Sequence, residues 1–206
     1  GIAPLQHLEY SEQLKFKQHQ VAELFAKVHM DDVEVLPTIG MANPTQYRNK
    51  AQVPVRQVQG QLTTGFYKKN SHQLMPIEDY YIQDPAIDKA IVVVRDILRK
   101  YHEAAYDEFR HSGTIRTIMV RRGYYSHEMM VVIVTRTKHL PMADVVTQEI
   151  QAALPEVVSV IQNVNSKKTN VILGPVNNVL AGKATIDDQL LGLTFAISAQ
   201  SFYQVN

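Results

Sequence analysis

The chain has 206 residues, 45% of them hydrophobic and 20% charged, with 21 Lys and Arg against 20 Asp and Glu. That length supports one sizeable core, or one domain with a satellite, and the composition is that of an ordinary globular protein. Cys is absent, which excludes a disulfide partner, thiolate metal sites, iron–sulfur ligation and a Cys nucleophile within these residues. The longest apolar run, Met129 to Val134, is strand-length and far too short to span a bilayer, so no membrane partner is expected.

Residues 11–28 predict a helix, with Ser11 as N-cap and Leu14, Val21, Leu24, Phe25 and Val28 on one stripe. A linker-like stretch follows, broken by Pro37, Gly40 and Pro44. Residues 47–69 alternate in the manner of two strands, with Gln59-Gly60 as the hairpin tip. Asp84-Pro85 is a helix start, a capping Asp before Pro at the first helical position, and Ile87, Ile91, Val94, Leu98 and Tyr101 continue that helix. Residues 113–123 and 127–137 read as two strands joined by a Gly-Tyr-Tyr-Ser turn, and a helix from about Pro141 to Leu154 is ended by Pro155. The stretches VVSVIQNVN, TNVIL, NNVLAG and LTFAISAQ all read as strand. The fold class expected is α+β: a largely antiparallel sheet with helices on one face, partly on the split βαβ plan.

The near-neutral charge conceals a segregation. Residues 35–77, 109–127 and 157–186 contain no Asp or Glu, while Arg48, Lys50, Lys68, Lys69, Arg121 and Arg122 fall within them. Such segregation can build a basic face that attracts phosphate backbones, although strands are depleted in acids in any case. In YRNK and GFYKKNSH, aromatics are interleaved with cations: Tyr47, Arg48 and Lys50, then Phe66, Tyr67, Lys68 and Lys69. That pattern suits stacking on bases and holding phosphates, and it equally suits a solvated edge strand protected by Lys.

Other chemistries find no support. The eight His show no metal spacing, and His19 has no partner four residues away in an H-E-x-x-H arrangement. There is no G-x-S-x-G elbow and no Gly-rich strand-to-helix loop. Asp31-Asp32 and Asp187-Asp188 read as turn formers. By spacing alone, Phe202 and Tyr203 read as core and Gln204 and Asn206 as turn residues.

Taken together, PLQHLEYSEQLKFKQ, YRNKAQVPV, GFYKKNSHQL, IRTIMVRRG and above all the block from Ile161 to Asn206 resemble the RNA uracil-5-methyltransferases, especially their 23S ribosomal RNA branch. The resemblance covers essentially the whole chain. It implies a piece of a longer cytoplasmic protein: residues 1–30 a helical segment that docks on a Rossmann-like domain, 31–197 a central RNA-binding α+β domain, and 198–206 the opening of the catalytic domain. It implies ribosomal RNA as partner and S-adenosylmethionine as cofactor. The chemistry implied is addition of a Cys thiolate to uracil C6, methyl transfer to C5, and removal of the C5 proton by a base. With no Cys in the chain, both nucleophile and base are expected beyond Asn206, and this piece alone is expected to be inactive. Gln204 matches a glutamine that contacts the methyl donor and Phe202 an aromatic beside the target base, while Arg48, Lys50, Phe66, Lys68, Lys69, Arg121 and Arg122 are the candidate RNA contacts. Many relatives place a cluster-ligating Cys two residues before the L-Q-H-L motif; here that residue is Ala3, so no iron–sulfur cluster is expected. The other reading that stands is a freestanding, non-catalytic RNA-binding or interaction module.

Overall fold

The computed structural model describes residues 4–203, which divide into two units between Thr45 and Gln46. The first is built on α1, Tyr10–Ala26. The helix begins before Ser11, with Glu9 in the cap position and no side-chain cap, so Ser11 lies inside the first turn instead of closing it. Tyr10 is anchored there, because its hydroxyl accepts the N–H of Met41 at 2.8 Å. No residue of α1 is buried, and Phe16, Val21, Leu24 and Val28 are all exposed. The stretch read as a linker is tied back along the helix: the Gln18 amide donates to Val35 O at 2.8 Å and the Thr38 hydroxyl to Leu14 O at 3.0 Å. This first unit runs to Thr45.

The second unit is an α+β sandwich. Its strands are β1 Lys50–Val58, β2 Gln61–Tyr67, β3 Leu74–Pro76, β4 Ile115–Arg122, β5 Met129–Thr135, β6 Val157–Val164, β7 Val176–Gly182, β8 Ile186–Leu190 and β9 Leu193–Ile197. Its helices are α2, Pro85–Lys100, and α3, Ala143–Ala153. The first seven strands form one sheet in the order β3-β2-β1-β4-β5-β6-β7, and β8-β9 pair as a separate hairpin. Every pairing is antiparallel except β5 with β6, the one junction where a helical crossover, α3, intervenes.

Period-two alternation sends the strands' apolar residues to two faces. Val53, Ile118, Val131, Ile133 and Val160 meet Ile87, Ile91, Val94 and Leu98 of α2 and Val146 and Ile150 of α3 in the larger core. Met119, Met130, Val132, Val134 and Ile161 point the other way and are covered by Ile186, Ile197 and Ala199, in and just after the β8–β9 hairpin. Both helices lie on one face, as expected. α2 starts where Asp84-Pro85 predicts, with the Asp84 carboxylate accepting the Ala86 N–H at 2.8 Å. The β1–β2 tip is a two-residue turn with φ of 50° at Gln59 and 80° at Gly60, the left-handed pair that matches strand twist.

Two stretches differ from expectation. TNVIL, residues 169–173, is not a strand. Side chains claim its carbonyls: Arg116 donates to Thr169 O at 3.0 Å and the Asn165 amide to Val171 O at 2.7 Å. Asp187-Asp188, read as a turn, lies within β8, with Asp188 fully buried. Among the described residues no helix is long and apolar enough to cross a membrane, and no group of three His, Cys, Asp or Glu could hold a metal. Ala3 lies outside the described residues.

Candidate nucleic-acid interface

At the end of the sheet where β1 begins and β4 ends there is a cleft of about 400 Å³ lined by Tyr47, Arg48, Arg122, Tyr124, Tyr125 and His127, among others. Its aromatic wall is the β4–β5 turn. Tyr124 and Tyr125 are 60% and 61% exposed, with ring centroids 4.9 Å apart and edge to face. Large exposed rings on a turn are usually mobile, but this turn is held from behind. The Asp188 carboxylate accepts the N–H groups of Tyr124 (2.7 Å), Tyr125 (3.0 Å) and Ser126 (3.1 Å), and the Tyr203 hydroxyl donates to it at 3.1 Å. Burial pushes the Asp188 pKa up, but these backbone donors more than offset it and the net shift is downward. A charged, fully hydrogen-bonded carboxylate therefore fixes the backbone under two solvent-facing rings.

The predicted cations divide into different roles. Arg48 is exposed on the cleft and forms no ion pair among the described residues. Lys50, half-buried and opposite Arg121 in the β1–β4 register, has its pKa lowered by burial and then by Arg121 and Arg48. An anion placed there would relieve that repulsion. Arg121 itself is 2% exposed, so its expected place on the surface is corrected. Its guanidinium donates to Ser198 O (2.6 Å) and Ser201 O (2.7 Å), and burial lowers its pKa to about 10. Arg122 lines the cleft but is neutralised, donating to Asp84 at 2.9 Å and to both oxygens of Glu156 at 2.9 and 3.0 Å. It ties the end of β4 to the start of α2 and is no bare cation.

The remaining calls lie elsewhere. Lys68 and Lys69 are exposed on the β2–β3 turn, outside this cleft. Phe66 is half-buried, packed on the larger core and edge-on to Tyr80 at 4.8 Å, so it is anchored in the core and not displayed as a free stacking surface. Phe202 is 85% exposed, against its reading as core from spacing alone. It follows the segment that Arg121 clamps at Ser198 and Ser201. Gln204 lies outside the described residues. Tyr124 and Tyr125 escaped the sequence reading, although RRGYYSH carries the same interleaving of cations and aromatics as YRNK.

A scan against models of known protein families gives no match. Against curated proteins the chain is 54% identical over 207 aligned residues to an uncharacterized RNA methyltransferase of Enterococcus faecalis, covering 100% of this chain and 45% of that protein. It is 53% identical to one of Streptococcus agalactiae, covering 100% of this chain and 46% of that protein. The chain thus spans about half the length of the curated relatives it matches. Among solved structures it superimposes on the Pyrococcus abyssi tRNA (uracil-54, C5)-methyltransferase in complex with S-adenosyl-L-homocysteine, with a TM-score of 0.76 and 21% identity, over 98% of this chain and 46% of that one. By sequence the chain is therefore similar to a little under half the length of proteins named as RNA methyltransferases, and it shares its fold with the corresponding stretch of the Pyrococcus abyssi protein.

Proposed function

We propose that this chain is the RNA-gripping part of an S-adenosylmethionine-dependent methyltransferase that methylates C5 of uridine in 23S ribosomal RNA. The observation that carries the reading is the cleft at the β1–β4 end: two exposed tyrosines on an anchored turn across from Arg48, which finds no carboxylate partner among the described residues, with Lys50 close to Arg48 at the start of β1. Exposed aromatic rings with adjacent cations are what an unpaired RNA strand stacks on and pairs its phosphates with. Phe202 is the residue proposed to stand beside the target base, with Arg121 setting the path of the segment that leads to it. S-adenosylmethionine would supply the methyl group, and Gln204 is the residue proposed to touch it. Lys68 and Lys69 would add phosphate attraction at the β2–β3 turn.

Binding of fluorescent single-stranded RNA from 23S ribosomal sequence tests this. Tyr125→Ala is expected to weaken binding by about 5- to 100-fold with little change in salt dependence. Arg48→Ala should lower the salt slope by about 0.7. Unchanged affinity for both variants would sink the reading. Because the chain holds no Cys, it is expected to transfer no methyl group by itself. Substrate choice is decided with the longer protein, by methylation of unmodified 23S and transfer RNA transcripts; transfer to tRNA alone would overturn the ribosomal assignment.

A further inference from the structure

A second cleft lies on the sheet face that carries Met119 and Arg121, over the half that the β8–β9 hairpin does not cover. It measures about 740 Å³ and shares no lining residue with the first. Its parts come from β1 and β2, the β2–β3 turn, the segment before β4, β4 itself and the loop 168–172.

Its floor is cationic. The Arg56 guanidinium lies over the Tyr67 ring at 5.5 Å and the Tyr106 ring at 5.2 Å, and that of Arg116 over Tyr106 at 4.5 Å. Arg116 donates to the carbonyls of Asn165, Lys167 and Thr169 and meets no carboxylate among the described residues. Glu108 is the carboxylate of the lining, 3.7 Å from Arg56 and 2.8 Å from the His72 ring. Two polar atoms of this floor, Arg56 Nε and Tyr67 Oη, are buried with no hydrogen-bond partner among the described residues. Buried donors without partners cost free energy unless something that enters the cleft accepts from them. One wall is a run of rings, Tyr67 to His72 at 6.3 Å and His72 to Phe109 at 6.4 Å, and Phe109 is 80% exposed at the rim. Lys168 is exposed beside it, its ammonium 3.4 Å from Phe109 O.

We infer that this cleft is a second RNA subsite, taking one unstacked base with carbonyl oxygens on its edge, uracil or guanine, from the strand held at the first cleft. The rim ring stacks the base, the buried Arg56 N–H and Tyr67 hydroxyl donate to its carbonyl edge, and Lys168 meets a neighbouring phosphate. Volume and lining suit a small planar ligand with a few placed polar groups. Adenine meets these donors only with ring nitrogens that sit beside its own N6–H₂ donor, whereas uracil and guanine present carbonyl oxygens, so the polar floor favours the latter. The two clefts are joined by β1, along which Lys50, Gln52, Pro54 and Arg56 face the same side over roughly 20 Å at the usual strand rise.

The inference rests on the RNA-binding reading, and the test separates the two. The 206-residue chain is titrated with labelled RNA decamers of uridine and of adenosine. Phe109→Ala, an exposed change that leaves the core intact, is expected to weaken uridine decamer binding by about 5- to 100-fold. Tyr67→Phe keeps the ring and should abolish the preference for uridine over adenosine. Lys168→Ala should lower the salt slope by about 0.7. A decamer with 5-iodouridine should photocrosslink to Phe109, His72 or Tyr67. If the chain binds RNA and Tyr125→Ala weakens it while Phe109→Ala and Tyr67→Phe bind as the parent does, the subsite is refuted and the first cleft stands. If no RNA binds at all, both fall.

Discussion

At the scale of single residues, Asp188 and Arg121 show how burial reassigns a charge. Each is almost fully removed from solvent, and each has its charged head on backbone groups: Asp188 on the N–H groups of residues 124–126, Arg121 on the carbonyls of Ser198 and Ser201. Removing such a group leaves several buried partners unsatisfied. Asp188→Ala is therefore expected to cost on the order of 3 kcal/mol. Asp187→Ala, whose carboxylate is 45% exposed and touches Lys183 at 3.4 Å, should cost less than about 1 kcal/mol. Urea midpoints of the two variants check this, and equal small losses would remove Asp188 from its place as anchor of the tyrosine turn. Neither role was legible in sequence. Asp187 and Asp188 are the same residue type side by side, and strand alternation alone puts one outside and one inside.

Among elements, the segment from β6 to β7 is ordered without being a strand. Asn163 accepts the Gly174 N–H at 2.7 Å and donates to its carbonyl at 2.9 Å, while Arg116 and Asn165 hold the carbonyls further up the loop. A Cβ on Gly174 would stand 1.8 Å from the backbone oxygen of Val164. Gly174→Ala should thus cost roughly 3 kcal/mol or more, since backbone has to move. Gly60→Ala, in open space at φ of 80°, should cost about 1 kcal/mol from its left-handed conformation alone. If thermal unfolding ranks them the other way, the close approach at Gly174 is not real. α2 was readable because its signals are local: a capping Asp, a Pro and apolar spacings of three and four. TNVIL misled because Arg116, which takes one of its carbonyls, stands 53 residues away from Thr169.

For the whole molecule, two buried carboxyls set the pH dependence. Burial raises Asp88 from 3.8 to about 6 and Glu103 from 4.5 to about 7, and Asp88 Oδ1 and Glu103 Oε1 have no partner among the described residues. Because the folded state holds these protons more tightly, their stabilisation is complete below about pH 4 and is lost as pH rises towards 7. Asp188, Glu128 and Glu156 are shifted down and act in the opposite sense, losing stabilisation only as pH falls below the ordinary carboxylate range. Stability should peak near pH 5. Glu103→Gln should raise stability at pH 8 by on the order of 2 kcal/mol, and that gain should vanish towards pH 4.5. A gain independent of pH would show that Glu103 is not titrating in this range.

Over the chain as a whole, the sequence by itself determined what neighbours along the backbone decide: the α2 helix, the hairpin turn at Gln59-Gly60, the alternating strands and hence an antiparallel sheet with helices on one face. Its motif order also carried the resemblance to uracil-5-methyltransferases. Only the tertiary structure decided which cations meet solvent. Arg48, Arg121 and Arg122 share a residue type and acid-free surroundings in sequence, yet one is exposed, one is buried under Ser198 and Ser201, and one is bound to Asp84 and Glu156. Periodicity tells which side of a strand a residue takes, but the element that covers that side comes from elsewhere in the chain. For Arg121 it arrives 77 residues later, and that distant cover turns a predicted RNA contact into a structural clamp.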